Sequence, residues 1–213
     1  MRMQQPASFE VIFVDGRSTD GTPAQISEQA AAFGLDNVTV AISSGPKGYG
    51  ADIRQGLRSA RSDLLAWTHA DLQCDIADVF EALAVYRHAG GGKVLVKGDR
   101  KGRPAFDRFF TAGMELLNWA VTRRRLSDIN AQPKLLPRSL CDIILSRSSP
   151  DDFSFDLHAL NVAASSGYRI LSFPVDMKAR RHGVAKGGGG GLKIKLRLAR
   201  RTAAYILSQS ALP

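Results

Sequence analysis

Cysteine is scarce in this sequence of 213 residues, which has only Cys74 and Cys141. The two lie far apart and lack zinc-ligand spacing, which argues against a disulfide framework or a zinc site and indicates a reducing compartment. Long apolar runs are also lacking, since none reaches the roughly 18 residues that a membrane span requires. Residues 1–10 contain no basic segment followed by an apolar stretch, so no signal peptide is predicted. We therefore expect a cytoplasmic protein.

Acidic residues are absent after Asp176, although the chain has 20 of them against 29 basic residues. The segment after Asp176 contains nine cations, as many as the whole net charge of +9. They are Lys178, Arg180, Arg181, Lys186, Lys193, Lys195, Arg197, Arg200 and Arg201. Such a tail is typical of proteins that bind phosphate groups, anionic lipid or nucleic acid, although a solvated basic helix without a partner has the same pattern. Aromatic residues do not alternate with these cations, so a nucleic-acid partner is not expected.

Short apolar segments alternate with helix-like segments along most of the chain. Strands are predicted at 11–14, 38–42, 64–67 and 93–96, with helices between them and over 106–121. Continuous apolar strands separated by helices predict a mostly parallel sheet flanked by helices, which is an α/β fold. In such sheets ligands bind at the carboxyl ends of the strands.

Two of the predicted helices have specific signals. Residues 22–25 have the pattern of a capping box, with proline at the first helical position. The helix after Asp75 has four apolar residues at helical spacing, which predicts its buried face. They are Ile76, Val79, Phe80 and Leu83.

Asp15 directly follows the predicted strand 11–14, and small residues follow it. A carboxylate at such a strand end can bind a nucleotide base or ribose, and small residues allow close backbone approach. An ordinary Asp/Gly turn with a helix cap is the alternative.

His69, Asp71 and Gln73 follow the strand 64–67 at alternating positions. In an extended segment their side chains point the same way. Oxygen ligands with one imidazole suit Mg²⁺ or Mn²⁺ held jointly with phosphates. The segment therefore predicts a metal site, although such residues often only satisfy the hydrogen bonds of a loop.

Several further motifs occur in a fixed order along the chain. The set comprises V-D-G-R-S-T-D-G-T from Val14, G-Y-G-A-D-I-R-Q-G-L from Gly48, H-A-D-L-Q-C-D from His69, V-K-G-D-R-K-G-R from Val96, S-D-I-N-A-Q-P-K-L from Ser127, F-D-L from Phe155, G-Y-R-I-L-S-F-P-V from Gly167 and A-R-R-H-G-V-A-K from Ala179. Together they resemble the family 2 glycosyltransferases of the GT-A fold, a Rossmann-like α/β fold. The branch that looks most similar is that of the dolichol-phosphate mannosyltransferases and related polyprenyl-phosphate sugar synthases.

The resemblance implies a metal and a nucleotide-sugar site. Asp71 and Gln73 match the metal-binding part of the family's D-x-D-x-Q motif, and His69 stands where the family usually has aspartate. Mg²⁺ or Mn²⁺ is the implied cofactor. Three other residues match positions that contact the nucleotide or neutralise phosphates. They are Asp15, Arg180 and Lys186.

The resemblance also implies residues for catalysis and for the acceptor. Arg100 matches an arginine expected near an acceptor phosphate, with Arg108 as a helper, and Asp71 would act through the metal ion. Expulsion of a nucleoside diphosphate requires such cations to stabilise developing charge. A hydroxyl acceptor would need a general base, for which Asp128 and Asp156 are candidates, although both could equally cap helices or pair with arginine. A lipid phosphate is already ionised and needs only positioning.

We therefore expect an inverting enzyme that moves a sugar from a nucleotide-diphosphate sugar to a lipid phosphate, such as polyprenyl or dolichyl phosphate, or to another acceptor. A truncated, non-catalytic remnant that binds nucleotide sugar or membrane is one alternative. A GT-A-like nucleotidyltransferase is the other, but such enzymes normally show a glycine-rich, basic signature near the N-terminus, which this sequence lacks.

The chain is expected to have three regions: a glycosyltransferase domain over 1–186, a glycine hinge over 187–191 and a basic tail over 192–213. The family's first strand and helix have no counterpart before residue 11, so the edge of strand 11–14 is expected to be open and to recruit a second copy into a homodimer. The tail has a strand-like alternation of apolar and basic residues. It could also form an amphipathic helix at the inner face of a membrane, or pack back onto the domain.

Overall fold

The computed structural model describes residues 9–71, 73–102, 105–178 and 192–209. Its strands are β1 (Val11–Asp15), β2 (Val38–Ile42), β3 (Leu64–Trp67), β4 (Val94–Lys101), β5 (Lys134–Pro137) and β6 (Arg169–Asp176). Its helices are α1 (Thr22–Ala32), α2 (Tyr49–Ser59), α3 (Asp78–His88), α4 (Ala105–Thr122), α5 (Arg138–Ser146), α6 (Ser154–Ser165) and α7 (Leu192–Gln209). The predicted alternation of strands and helices is confirmed.

The described strands form two sheets. β1 and β2 pair in parallel, with Val11 opposite Val38. The second sheet has the order β3-β5-β4-β6, in which β4 and β6 are parallel. The short strand β5 runs antiparallel to both of its neighbours. This arrangement of parallel strands and flanking helices confirms the predicted α/β fold class. The sequence pattern did not indicate the strands β5 and β6.

The second sheet has an apolar cluster on each face. Leu95 and Leu136 belong to the larger cluster, with residues of α5 and α6. Val96 and Leu135 belong to the other, with Ala82 of α3. Neighbouring residues of one strand fall in different clusters because side chains alternate across a sheet.

Helix α6 is the most buried element, since every residue from Ser154 to Ala163 is buried. A helix that is buried on all sides must find internal partners for its polar side chains. His158 does so through Nδ1, which lies 2.8 Å from the hydroxyl oxygen of Tyr205 in α7. Asp156 does so through the network described below.

Helix α7 packs against α4 and α6, so the part of the tail that the structure describes is a helix that folds back onto the domain. Ile206 is fully buried in the larger cluster. The Thr202 hydroxyl lies 3.3 Å from that of Ser154. Within the described ranges, no helix is long and apolar enough to cross a membrane. The proposed hinge, 187–191, lies outside the described residues.

One local prediction is wrong and a second is confirmed only in part. Thr22 is the first residue of α1 rather than its cap, and the residue at the cap position is Gly21, which has no side chain to accept a hydrogen bond. Instead Asp20 Oδ1 accepts hydrogen bonds from the backbone N–H and the hydroxyl of Thr22, at 3.1 and 2.6 Å. Ile76 precedes α3 and is 50% exposed, and Phe80 is 46% exposed. Leu83 is partly buried against the smaller cluster, as predicted, and Ala82 beside it is fully buried. This helix therefore covers the sheet with a narrower face than its apolar spacing indicates.

Candidate functional site

The end of β1 forms a tight turn around Asp15. This carboxylate is buried, and its Oδ2 accepts a hydrogen bond of 2.7 Å from the backbone N–H of Ser18. Arg17 has a left-handed backbone conformation, with φ of 65°, and donates a hydrogen bond to the carbonyl of Gly45. The turn is therefore tied to the loop that leads into α2.

The first turn of α2 lies unusually close to the loop before α6. A Cβ atom on Gly50 would lie 2.4 Å from the carbonyl oxygen of Pro150, so only glycine fits there. The Gly50 backbone N–H donates to the carbonyl of Asp151 at 2.7 Å. These contacts fix the start of α2 and thereby the position of Tyr49 between β3 and α6.

Asp52, also in the first turn of α2, faces the turn after β1. A Cβ on Gly16 would lie 3.2 Å from Asp52 Oδ2. Asp52 Oδ1 is buried and has no hydrogen-bond partner within the described part of the chain. A second carboxylate thus lies beside the Asp15 turn, in space that the small Gly16 leaves open. Sequence reasoning missed Asp52, although the motif from Gly48 contains it and was the available signal.

The segment after β3 is held at three points. His69 Nε2 lies 3.1 Å from the Tyr49 hydroxyl oxygen. Asp71 Oδ1 accepts a hydrogen bond of 3.2 Å from the Gln73 backbone N–H. The Gln73 carbonyl accepts one of 2.8 Å from the backbone N–H of Lys178, which brings the end of β6 to this segment.

Burial lowers the pKa of His69, although the charges of Asp156 and Asp71 raise it in part. His69 is therefore held neutral at neutral pH, the form in which imidazole can bind a metal. Among the described residues no group of three His, Cys, Asp or Glu side chains could hold a metal ion by itself. Metal binding by His69, Asp71 and Gln73 stays a prediction.

Arg100, near the end of β4, is paired with Asp128. Arg100 Nε donates to Asp128 Oδ1 at 3.0 Å, and the Arg100 backbone N–H donates to Oδ2 at 2.7 Å. Asp128 is buried and has a left-handed backbone, with φ of 41°. Its own N–H donates to Glu115 Oε1 of α4 at 2.6 Å. This carboxylate therefore orients the arginine predicted to meet the acceptor.

Asp156 is fully buried on α6, and four side chains donate to its carboxylate. Lys134 Nζ lies 2.9 Å from Oδ1 and Trp67 Nε1 lies 3.2 Å from it. The Tyr49 hydroxyl and Gln132 Nε2 lie 3.1 and 3.2 Å from Oδ2. Sequence reasoning singled out Asp156 but missed Tyr49, Gln132 and Lys134. The Q-P-K of the motif from Ser127 was the available signal for the last two.

The structure brings some of the predicted site residues together and leaves others apart. β3 and β4 both run antiparallel to β5, so their carboxyl ends lie at the same edge of the sheet, which is where His69, Asp71 and Arg100 stand. Asp15 belongs to the other sheet and is connected to this site through α2. Arg180 and Lys186 lie outside the described residues. Arg108 lies in α4, and its side chain is outside the described part.

Comparison with known proteins decides the family. Residues 2–148, more than half of the chain, match the family model described as glycosyl transferase family 2. The chain belongs to this family. It is therefore a glycosyltransferase, as the motifs predicted.

This family 2 glycosyltransferase is similar in sequence to two named relatives. An uncharacterized glycosyltransferase of Mycobacterium tuberculosis is 27% identical over 190 residues, which cover 86% of this chain and 80% of the relative. The dolichyl-phosphate beta-glucosyltransferase of Mus musculus is 25% identical over 169 residues, which cover 73% of this chain and 52% of the relative.

The fold is similar to that of glucosyl-3-phosphoglycerate synthase from Mycobacterium tuberculosis, solved in complex with Mn²⁺, uridine diphosphate and phosphoglyceric acid. The TM-score is 0.70 at 19% identity, covering 96% of this chain and 68% of that chain. The same enzyme with Mg²⁺ and uridine diphosphate gives a TM-score of 0.64 at 17% identity, with 96% and 68% covered. At such low sequence identity, this similarity is evidence about the fold alone.

Proposed function

We propose that this family 2 glycosyltransferase transfers a sugar, with inversion, from a nucleoside-diphosphate sugar to a lipid phosphate of the polyprenyl or dolichyl type. The observation that carries the proposal is that both candidate bases are buried and paired with a cation. Asp128 is paired with Arg100, and Asp156 with Lys134. Both carboxylates are buried, so neither is placed to take a proton from an acceptor hydroxyl. An acceptor that is already an anion needs no such base.

The donor would bind with a divalent ion. Asp71 and Gln73 offer oxygen ligands, and His69 offers a neutral imidazole, which fits Mg²⁺ or Mn²⁺ when diphosphate oxygens complete the coordination. The ion would stabilise the charge that develops on the departing nucleoside diphosphate. Solved structures of similar fold contain Mn²⁺ or Mg²⁺ with uridine diphosphate, which supports this assignment.

Arg100 would hold the acceptor phosphate. Its guanidinium is oriented by Asp128, and a planar guanidinium matches phosphate oxygens well. Because the Asp128 pair fixes the side chain in advance, little rotamer entropy is lost when the acceptor binds. Asp15 and Asp52, beside the turn after β1, are our candidates for contact with the base and ribose of the donor. Arg180 and Lys186 remain the predicted phosphate ligands.

The exposed face of α7 supports a membrane-bound acceptor. Leu196 and Leu207 are 52% and 54% exposed on this helix. Arg197, Arg200 and Arg201 are exposed between them, and Arg201 also pairs with Asp152 at 3.9 Å. A helix that exposes leucine and arginine side chains suits the surface of an anionic bilayer, where each cation contributes about 1 kcal/mol before screening. The relative named as a dolichyl-phosphate beta-glucosyltransferase is in keeping with such an acceptor.

A transfer assay tests the proposal. The purified protein is given UDP-glucose or GDP-mannose with Mn²⁺ and a polyprenyl phosphate in detergent, and the anomeric configuration of the product is read by NMR. We expect an inverted glycosyl phosphate, and loss of transfer in Asp71→Asn, in Arg100→Lys and in chelator. Transfer to phosphoglyceric acid but not to the lipid phosphate would contradict the acceptor assignment.

Vesicle co-sedimentation tests the membrane surface separately. Arg197→Gln/Arg200→Gln/Arg201→Gln removes three charges from α7 and should abolish salt-sensitive binding to anionic vesicles. The control, Arg58→Gln/Arg61→Gln/Arg87→Gln, removes the same charge from other exposed positions and should keep most of the binding. Equal losses in both variants would mean that net charge, rather than α7, drives the association.

A further inference from the structure

The Tyr49 hydroxyl is the meeting point of three polar side chains. Asp156 Oδ2 lies 3.1 Å from its oxygen, Gln132 Nε2 lies 2.9 Å away and His69 Nε2 lies 3.1 Å away. The ring of Tyr49 stacks on Phe153 with centroids 4.7 Å apart, and meets the His69 ring edge to face at 5.2 Å. The phenol is therefore held in place by both its ring and its oxygen.

The protons at this oxygen can be assigned by counting donors. A phenol has one proton to donate and accepts with its lone pairs. Asp156, paired with Lys134, only accepts, so the Tyr49 proton points to it. Gln132 donates through Nε2, because the reversed amide would set its oxygen against the Asp156 carboxylate. The Tyr49 proton is thus used, and His69 can bond to this oxygen only by donating from Nε2.

We propose that Tyr49 is a positioning residue that fixes His69 as the Nε2–H tautomer and leaves Nδ1 as the neutral ligand atom for the divalent ion. The inference rests on the proposed function, since it concerns the ion held by Asp71 and Gln73. A histidine that binds a metal with one nitrogen generally donates its other N–H to a fixed partner, and that partner sets the tautomer and the ring orientation. Here the partner is a phenol anchored to a buried ion pair.

Nitrogen NMR of the imidazole rings tests the tautomer directly. The chain has four histidines, and the signals of His69 are assigned by their loss in His69→Gln. We expect a protonated Nε2 and a bare Nδ1 in the native protein without any ion. Tyr49→Phe should give a mixture of tautomers. Tyr86→Phe is the matched control and should change nothing, because that hydroxyl donates to the Gly92 carbonyl at 3.4 Å rather than contacting His69.

Mn²⁺ binding in the presence of UDP, followed by electron paramagnetic resonance, tests the consequence. We expect Tyr49→Phe to lower the affinity for Mn²⁺ about tenfold, as loss of such a hydrogen-bond partner typically does. The affinity for UDP, measured in chelator, should stay unchanged. His69→Gln should lower the affinity for Mn²⁺ at least as much. This variant provides an independent test if Tyr49→Phe does not fold.

A protonated Nδ1 in the native protein would overturn the inference. So would a Tyr49→Phe variant with native tautomer and native Mn²⁺ affinity, or a His69→Gln variant that binds Mn²⁺ normally. A protein that meets both expectations but transfers no sugar would contradict the proposed function and leave the tautomer assignment intact.

Discussion

Lys134 of β5 and Asp156 of α6 form an ion pair in the interior, with Nζ 2.9 Å from Oδ1 and side chains that are 0% and 1% exposed. Burial lowers the pKa of Lys134, and the Asp156 carboxylate opposes that shift. The Lys134 ammonium also lies 5.8 Å from the centre of the Trp67 ring. The pair therefore connects β5, α6 and the end of β3, which are the three elements behind the candidate site.

Replacing one member of this ion pair should destabilise the protein much more than replacing both members. Lys134→Met leaves the Asp156 charge buried without its cation, and we expect a loss of about 3 to 5 kcal/mol in the free energy of unfolding. Lys134→Met/Asp156→Leu removes both charges and should recover part of that loss. Urea unfolding followed by tryptophan fluorescence measures both variants. If the double variant is no more stable than the single one, the two charges do not stabilise each other.

A second buried lysine predicts a pH dependence of stability. Lys97 is 1% exposed and its Nζ donates to the carbonyl of Gly98 at 2.9 Å. Burial, reinforced by the charge of Lys134, lowers the pKa of Lys97 to about 8. In the unfolded chain the pKa is about 10.4, so the protonated form destabilises the fold at neutral pH. That penalty fades as the pH rises from the folded value towards the unfolded one.

Lys97→Met removes the penalty. The stability of the variant relative to the native protein should therefore fall by about 2 kcal/mol between about pH 7 and pH 9.5. Lys101→Met, at an exposed position of the same strand, is the control and should show no such change. Denaturant titrations across this range measure it. Parallel stability profiles for Lys97→Met and the native protein would contradict the shifted pKa.

Much of the fold could be predicted because short, continuous apolar segments indicate buried strands. The bounds of β2 and β3 were predicted to the residue, and β1 within one. Strand β5 was missed because it is short and starts with Lys134, a residue type that is rarely fully buried. Its burial depends on Asp156, which is far away in sequence, so no local pattern reveals it.

The candidate site could be predicted only where its residues share a segment. His69, Asp71 and Gln73 stand together after one strand, so their spacing was informative. The roles of Asp128 and Asp156 were left open because a carboxylate looks the same in sequence whether it is a base or a partner of a cation. Tyr49 was missed because its function depends on contacts with β3, α6 and the loop before β5, which exist only after folding.

The packing of α7 can be tested with two neighbouring residues. Ile206 is fully buried, whereas Leu207 is 54% exposed. Ile206→Ala should lower the free energy of unfolding by about 2 to 4 kcal/mol, because it leaves a cavity between α7 and the core. Leu207→Ala should cost well under about 1 kcal/mol, as surface changes usually do. Equal, small effects would mean that α7 is not docked on the domain in solution.

The unpaired side of β1 leads us to expect that the protein self-associates. β1 pairs with β2 on one side, and among the described strands none pairs with its other side. The backbone N–H of Val11 donates to the carbonyl of Asn37, and the Asp15 carbonyl accepts from Ser43, so these residues face β2. Because backbone groups alternate along a strand, the N–H of Ile12 faces the open side. Open edges of this kind recruit a strand from another molecule.

We expect a homodimer that pairs through β1, detected as twice the chain mass in multi-angle light scattering. Ile12→Pro removes an outward N–H without touching the ladder to β2, since proline is tolerated at such edge positions, and it should shift the protein to monomer. The matched control is Val40→Pro, which by the same alternation removes an outward N–H from β2 and should leave the dimer intact. If Val40→Pro alone gives monomer, the contact runs through β2 instead. A native protein that stays monomeric at high concentration would contradict pairing at either edge.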